Sequence, residues 1–146
     1  MLIAQVLQAK GHAVHTVPAT TSVAEAVAEL RTHNVGALVV SDDGPGRAGI
    51  ISERDIVRAL ATEGAAILER PVAQFMTADL ATCGLRTTVD DLMRLMTERR
   101  IRHVPVLDGD RLVGIVSIGD VVKSRIDELQ EEANTLHDYL VSGRGA

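Results

Sequence analysis

Apolar residues recur at helical spacing in two places, each followed by a short apolar run. Val23, Ala26, Val27 and Leu30 follow the i, i+3, i+4, i+7 rule, and so do Val89, Leu92, Met93 and Met96. Each set marks the buried stripe of an amphipathic helix. Ser22 with Glu25 supplies a capping box at the first helix start, and Thr88 with Asp91 a weaker one at the second. The apolar runs 35–40 and 101–107 come next and read as strands. They end in turn-forming residues, Ser41-Asp42-Asp43-Gly44-Pro45-Gly46 and Asp108-Gly109-Asp110, so Gly44, Gly46 and Gly109 are expected in hairpin turns. A second apolar strand then runs into a further helix. Each unit reads strand, helix, strand, strand, helix.

The two units share a phrase. Gly49-Ile50-Ile51-Ser52-Glu53-Arg54-Asp55 and Gly114-Ile115-Val116-Ser117-Ile118-Gly119-Asp120 both read Gly-apolar-apolar-Ser-x-x-Asp, 65 positions apart. The chain is therefore an internal duplication. Two copies are too few for a solenoid, and one copy of about 60 residues buries too little surface to stand comfortably alone. The expected architecture is α/β, with two β-α-β-β-α repeats related by a pseudo-twofold and packed as one module. The expected boundaries are 1–70 for the first repeat with its lead-in, 71–124 for the second, and 125–146 for a C-terminal helix.

Three connecting segments complete this outline. Residues 1–7 are apolar and suit a lead-in helix packed on the core. Gly64 suits the end of the helix that starts near Glu53, and Pro71 restarts the chain before a short helical turn at 72–76. Val122, Ile126, Leu129, Ala133, Leu136 and Leu140 are spaced 4, 3, 4, 3, 4 on one long helix that is expected to end at Ser142-Gly143. That stripe either packs on its own domain or pairs with a second subunit, and the pairing closes into a twofold dimer. Asp127, Glu128, Glu131 and Glu132 would then form the solvated face.

Composition narrows the function classes. Of 146 residues, 46% are hydrophobic, and Phe75 and Tyr139 are the only aromatic ones, so the core is aliphatic. A formal net charge of -5 argues against nucleic acid, which calls for a basic face and stacking aromatics. Cys83 is the only cysteine, so there is neither a disulfide framework nor a metal-binding cysteine pair. A reducing cytoplasm is the expected setting. No run has membrane-spanning length, and no membrane association is expected.

Little in the chain suggests catalysis. There is no Gly-x-Ser-x-Gly elbow, Walker loop or dinucleotide fingerprint. Cys83 lacks an identifiable base. His12 and His15 have metal-pair spacing but no further ligands. His33 and His137 read as solvated helix residues. The repeated phrase is what carries chemistry. Ser52 and Ser117 stand where a strand enters a helix, and each suits a plain N-cap with Asp55 or Asp120 closing a capping box. The same geometry suits a ligand. A helix start offers unpaired N–H groups and positive dipole character to a phosphate, and an acid one turn in can accept both ribose hydroxyls.

In their order and repetition, these elements resemble a tandem pair of cystathionine-β-synthase (CBS) domains, a Bateman module. The resemblance spans about Val14 to Lys123. It rests on 35–40 with 49–55, on Arg102-His103-Val104-Pro105-Val106 with 114–120, and on the lead-in Val72-Ala73-Gln74-Phe75-Met76-Thr77. It implies a non-catalytic regulatory module that binds adenosine-containing ligands (AMP, ADP, ATP, NAD(H) or S-adenosylmethionine) in clefts between the repeats. It also implies a homodimer. Carried over by position, the first cleft holds Ser117 and Asp120 with Ile115 and Ile118, walled by His15, Thr16, Gly36 and Ala37. The second holds Ser52, Arg54 and Asp55, walled by Met76, Thr77, Ala81, Arg102 and His103. The Asp would bind ribose and the Ser would approach phosphate. Arg102 and His103 stand where the first cleft has Gly36 and Ala37, so the second cleft is the more cationic. Lys10 and Lys123 are further cations whose place the sequence leaves open. The expected function is a stand-alone sensor that signals to an unknown partner protein, with a ligand-independent dimeric adaptor as the alternative.

Overall fold

The computed structural model describes residues 1–41 and 49–144; the turn assigned to Gly44 and Gly46 lies outside them. In chain order the elements are α1 (Ile3–Lys10), β1 (Thr16–Pro18), α2 (Val23–His33), β2 (Ala37–Ser41), β3 (Gly49–Ser52), α3 (Glu53–Glu63), β4 (Cys83–Gly84), α4 (Val89–Arg99), β5 (His103–Asp108), β6 (Arg111–Ser117) and α5 (Ile118–Arg144). Short 3-10 turns at Ala65–Glu69 and Val72–Gln74 connect the halves. There are two three-stranded sheets, ordered β1-β2-β3 and β4-β5-β6. In each, the first pair is parallel and the second antiparallel. The duplication read from the sequence is a duplication of topology.

Local chemistry sets the element boundaries. The Glu25 N–H donates to Ser22 Oγ at 3.1 Å, and the Asp91 N–H donates to Thr88 Oγ1 at 3.1 Å. Gly64, at φ 76°, ends α3 as expected. The ends of α2 and α4 are Asn34 and Arg100, both left-handed at φ 52° and 54°. Asn tolerates that conformation, whereas Arg is unusual there.

Alternation in the strands divides the core. Leu38 and Val40 of β2 join Val17, Val23, Ala26, Leu30, Ile51 and Ile56 under the first repeat's helices. Val104, Val106 and Val116 join Val89, Leu92 and Met96 in the second. Ala37, Val39 and Ile50 face the opposite way and meet Leu112 and Ile115 of the other repeat. With both faces covered, the strands read as unbroken apolar runs.

The lead-in segments cross over. Ile3, Val6 and Leu7 of α1 are buried in the second repeat's cluster, whereas Ile67 and Val72 are buried in the first's. Burying each of these side chains stabilises the chain by roughly 1.5–3 kcal/mol. Backbone bonds reinforce the exchange: the Ile3 N–H donates to the Thr87 carbonyl, and the Val72 N–H to the Thr21 carbonyl, each at 2.8 Å. Ile3-Ala4-Gln5-Val6-Leu7 and Val72-Ala73-Gln74-Phe75-Met76 thus occupy equivalent places. A Cβ on Gly114 would meet Leu7, and a Cβ on Gly49 would meet Met76.

The C-terminal helix departs from expectation in two respects. It runs through Ser142 and Gly143 to Arg144, because Gly143 does not take the left-handed turn that would end it. Glu128 is half-buried and accepts a 2.7 Å bond from Arg125, so it is no purely solvated acid. Val121 is buried, but the stripe beyond it is open: Ile126 and Leu136 are each 60% exposed.

Candidate functional site

Each copy of the repeated phrase caps a helix and leaves one donor over. At α3, the Ser52 N–H and Oγ–H donate to Asp55 Oδ2 at 3.0 and 2.9 Å, and the Asp55 N–H returns to Ser52 Oγ at 3.2 Å. The Glu53 N–H donates to the Gly36 carbonyl at 3.0 Å. At α5, the Ser117 N–H donates to Asp120 Oδ2 at 2.8 Å, the Asp120 N–H to Ser117 Oγ at 3.2 Å, and the Ile118 N–H to the Arg102 carbonyl at 2.8 Å. Among the described residues, this leaves the N–H groups of Arg54 and Gly119 as the N-terminal donors without a protein acceptor. The capping role of both Ser-Asp pairs is real and compatible with a ligand.

Two clefts open beside these turns. The second-cleft residues Ser52, Arg54, Asp55, Thr77, Ala81, Arg102 and His103 all line one cavity of about 600 Å³. Thr77 is held by paired backbone bonds to Ile50 at 2.8 and 2.9 Å, and its hydroxyl donates to Asp55 Oδ1 at 3.4 Å. Met76 does not line the cavity; it packs against the first repeat's core. The sequence reading missed Arg58 and Arg100, which bring the arginines in this cleft to four, against the carboxylates of Glu53, Asp55 and Asp79. Arg58 follows Ser52 by six positions and Arg100 precedes Arg102 by two. The first is legible only once α3 is known to border the cleft, and the second only once α4 is known to end in a left-handed Arg. Arg54 Nη1 donates to the Arg100 carbonyl at 3.4 Å, joining the two sides.

The first cleft is smaller, about 360 Å³, and brings together His15, Gly36, Ala37, Ile115, Ser117 and Asp120. Thr16 and Ile118 are not part of its lining: Thr16 is engaged in β1, and Ile118 opens α5 with an exposed side chain. Lys10, whose place the sequence left open, is here. Its Nζ lies 2.5 Å from Asp120 Oδ2 and 2.7 Å from the Ile115 carbonyl. Burial would raise the Asp120 carboxyl, but hydrogen bonds from Lys10 and Ser117, with the Lys10 charge, hold it below the ordinary carboxylate range. Lys123 is exposed and does not line either cleft.

His103 lines both clefts. Burial depresses its basicity, and the positive charges of Lys10 and Arg102 act the same way, against Asp120 and Glu53. The ring is therefore neutral over more of the pH range than a free imidazole. His15 stacks on His33 with ring centroids 3.8 Å apart, and His33 pairs with Glu29 at 2.9 Å. The His12 ring lies 3.1 Å from the Val113 carbonyl. Among the described residues, no group of three or more His, Cys, Asp or Glu is placed to hold a metal ion, and no helix is long and apolar enough to cross a membrane. Cys83 is buried, and burial pushes its thiol up to about 11, far from a reactive thiolate.

The fold and its two clefts define a duplicated α/β module with a polar turn from one repeat facing a strand of the other. The chain belongs to the CBS domain family, whose model matches residues 11–62 and 72–127. It is 41% identical over 126 residues to the mitochondrial CBS domain-containing protein CBSX3 of Arabidopsis thaliana, covering 84% of this chain and 61% of that protein. The chain thus spans less than two thirds of that relative's length. A solved CBS-domain protein from Agrobacterium tumefaciens is 45% identical with a TM-score of 0.84, over 86% of this chain and 99% of that one. The CBS domain pair of protein MJ0100, solved in complex with 5′-methylthioadenosine and S-adenosyl-L-methionine, is 28% identical with a TM-score of 0.78, over 88% of this chain and 98% of that one.

Proposed function

We propose that the protein is a non-catalytic regulatory module that binds an adenosine nucleotide in the second cleft. The observation that carries this reading is the convergence of Asp55, the free Arg54 N–H and four arginines on one cavity of about 600 Å³. That size lies in the range of small-molecule sites. Asp55 Oδ1 engages only a long contact from Thr77, so it has capacity to accept ribose hydroxyls. Guanidinium groups bind phosphate oxygens bidentately, and four of them suit a di- or triphosphate better than an uncharged tail. The adenosine ligands of the MJ0100 pair support the nucleoside half of this reading; the arginines favour ADP or ATP as the phosphorylated half.

Ligand binding regulates a partner only by favouring one arrangement of the repeats over another. The exposed α5 stripe supports self-association as the unit that transmits such a change. The cytoplasm remains our proposed location. The reading is tested by calorimetric titration with AMP, ADP, ATP, NADH and S-adenosylmethionine. Saturable binding with ATP or ADP strongest, its tightest component lost in Asp55→Ala, is expected. No binding of any of the five to the folded protein would overturn the reading.

A further inference from the structure

We infer that Lys10 is an internal latch on the first cleft: its ammonium occupies the Asp120 carboxylate that a ribose would need, so an adenosine ligand fills the second cleft first. This inference rests on the adenosine-binding reading above and names which of the two related clefts that ligand prefers.

The latch is built from both chain position and contact. Nζ is bound to Asp120 Oδ2 at 2.5 Å and to the Ile115 carbonyl at 2.7 Å, across sequence separations of 110 and 105 residues. Oδ2 also accepts the Ser117 N–H at 2.8 Å, as Asp55 Oδ2 accepts the Ser52 N–H, so the difference between the two acids is the ammonium itself, which a diol must displace or share. Ile115 is itself a residue of the cleft wall, so the lysine bridges the acid and the backbone of that wall. The backbone that carries it is anchored. Ile3 and Leu7 of α1 are fully buried, and the Ile3 and Ala4 N–H groups donate to the Thr87 and Leu85 carbonyls at 2.8 and 2.9 Å. Lys10 is the last residue of that helix, and Gly11, at φ 103°, lets the chain turn away immediately after it.

The internal duplication supplies the control. Aligning Ile3-Ala4-Gln5-Val6-Leu7 on Val72-Ala73-Gln74-Phe75-Met76 places Lys10 opposite Asp79. Asp79 lines the second cleft and cannot pair with Asp55. One lead-in therefore delivers a cation to its cleft's acid and the other an anion. Pseudo-symmetry would predict two equal clefts; this exchange adds to the inequality that Arg102 and His103 already create opposite Gly36 and Ala37. A half-exposed ion pair contributes at most about 1 kcal/mol, equivalent to roughly a fivefold bias in affinity, so the latch ranks the clefts and does not seal the first.

The test isolates the first cleft in the Asp55→Ala background and measures ATP affinity with and without Lys10→Met. The latch predicts tightening of up to about fivefold, repeated more weakly by Lys10→Gln. Unchanged affinity overturns it. Weakened affinity also overturns it and makes Lys10 a phosphate ligand. Loss of ATP binding by the wild-type protein would instead sink the nucleotide reading itself. A second readout needs no ligand: the Asp120 carboxyl, followed by carbon-13 NMR, should titrate at higher pH in Lys10→Met. An unmoved titration would show that the contact is absent in solution.

Discussion

The Cβ that Gly36 lacks would lie 3.2 Å from Nε2 of His103. Ala37 pairs with Ser52 and His103 with Ser117 in equivalent registers, so Gly36 and Ala37 occupy the places of Arg102 and His103. The second repeat's imidazole fits against a residue with no side chain in the first. Two identical repeats would put matching bulky side chains here, and the asymmetry of the clefts begins with this fit.

A graded glycine series follows from that fit. Gly36→Ala meets only the tip of a side chain, which can swing, and should destabilise the protein by less than about 1 kcal/mol. Gly49→Ala would put its Cβ 2.6 Å from the Thr77 carbonyl oxygen, a backbone atom, and should cost about 1–3 kcal/mol. Urea denaturation compares the two. Equal effects would contradict the close approach of the Thr77 segment to β3.

Arg102→Ala should weaken ATP binding roughly tenfold or more, since a hydrogen bond to a charged group contributes about 1.5–3 kcal/mol. S-adenosylmethionine, which has no phosphate, should lose much less. Parallel titrations of both ligands check this, and equal losses would remove the phosphate role from Arg102.

Acid should weaken the fold in two stages. The folded-state basicity of His103 is depressed by burial and by Lys10. The unfolded chain therefore binds the proton more readily, and stability declines as pH falls below the unfolded imidazole value of about 6.5. Asp120 is held below its ordinary range, so its contribution is present above the unfolded carboxyl value of about 3.9 and is lost as pH falls further. Thermal melts across pH 3 to 8, on the order of these values, should show both stages. His103→Gln should flatten the upper one; an unchanged upper stage would assign it elsewhere.

We propose that the exposed stripe of α5 is covered by a second copy of the chain. Ile126, Leu129, Leu136 and Leu140 are all exposed and share the heptad-like spacing of a helix seam. Sedimentation equilibrium should give a dimer, and Ile126→Glu with Leu136→Glu a monomer. A monomeric wild-type protein at all concentrations would refute the pairing.

Much of this was legible in the chain. The periodic stripes at Val23 and Val89 and the doubled Ser-x-x-Asp phrase predict two repeats, and the structure contains them. Ser52, Asp55, Thr77, Arg102 and His103 line one cleft and Ser117, Asp120 and Gly36 the other; the helix caps are local properties that sequence encodes, whereas the grouping across repeats is what the family resemblance implies. Lys10 was legible only as a cation open to the first cleft, not as the partner of Asp120. Its contact with Asp120 depends on α1 crossing to the other repeat, which no local pattern announces. Met76, Thr16 and Ile118 lie outside the two cleft linings: alternation along a strand, or one step around a helix start, turns Met76 to the core and Thr16 and Ile118 to solvent. The helix end at Gly143 failed because glycine permits a left-handed stop without enforcing one.

The central claim is that an adenosine nucleotide sits in the cleft of Ser52, Asp55 and the arginines. Backbone-amide NMR during titration with ATP tests it most directly. The predicted result is saturable shifts concentrated at Ser52 to Asp55, Thr77 and Arg100 to His103, with Lys10 and Asp120 moving only at higher ligand concentration. Shifts centred first on Ser117 and Asp120, or no shifts at all, would contradict it.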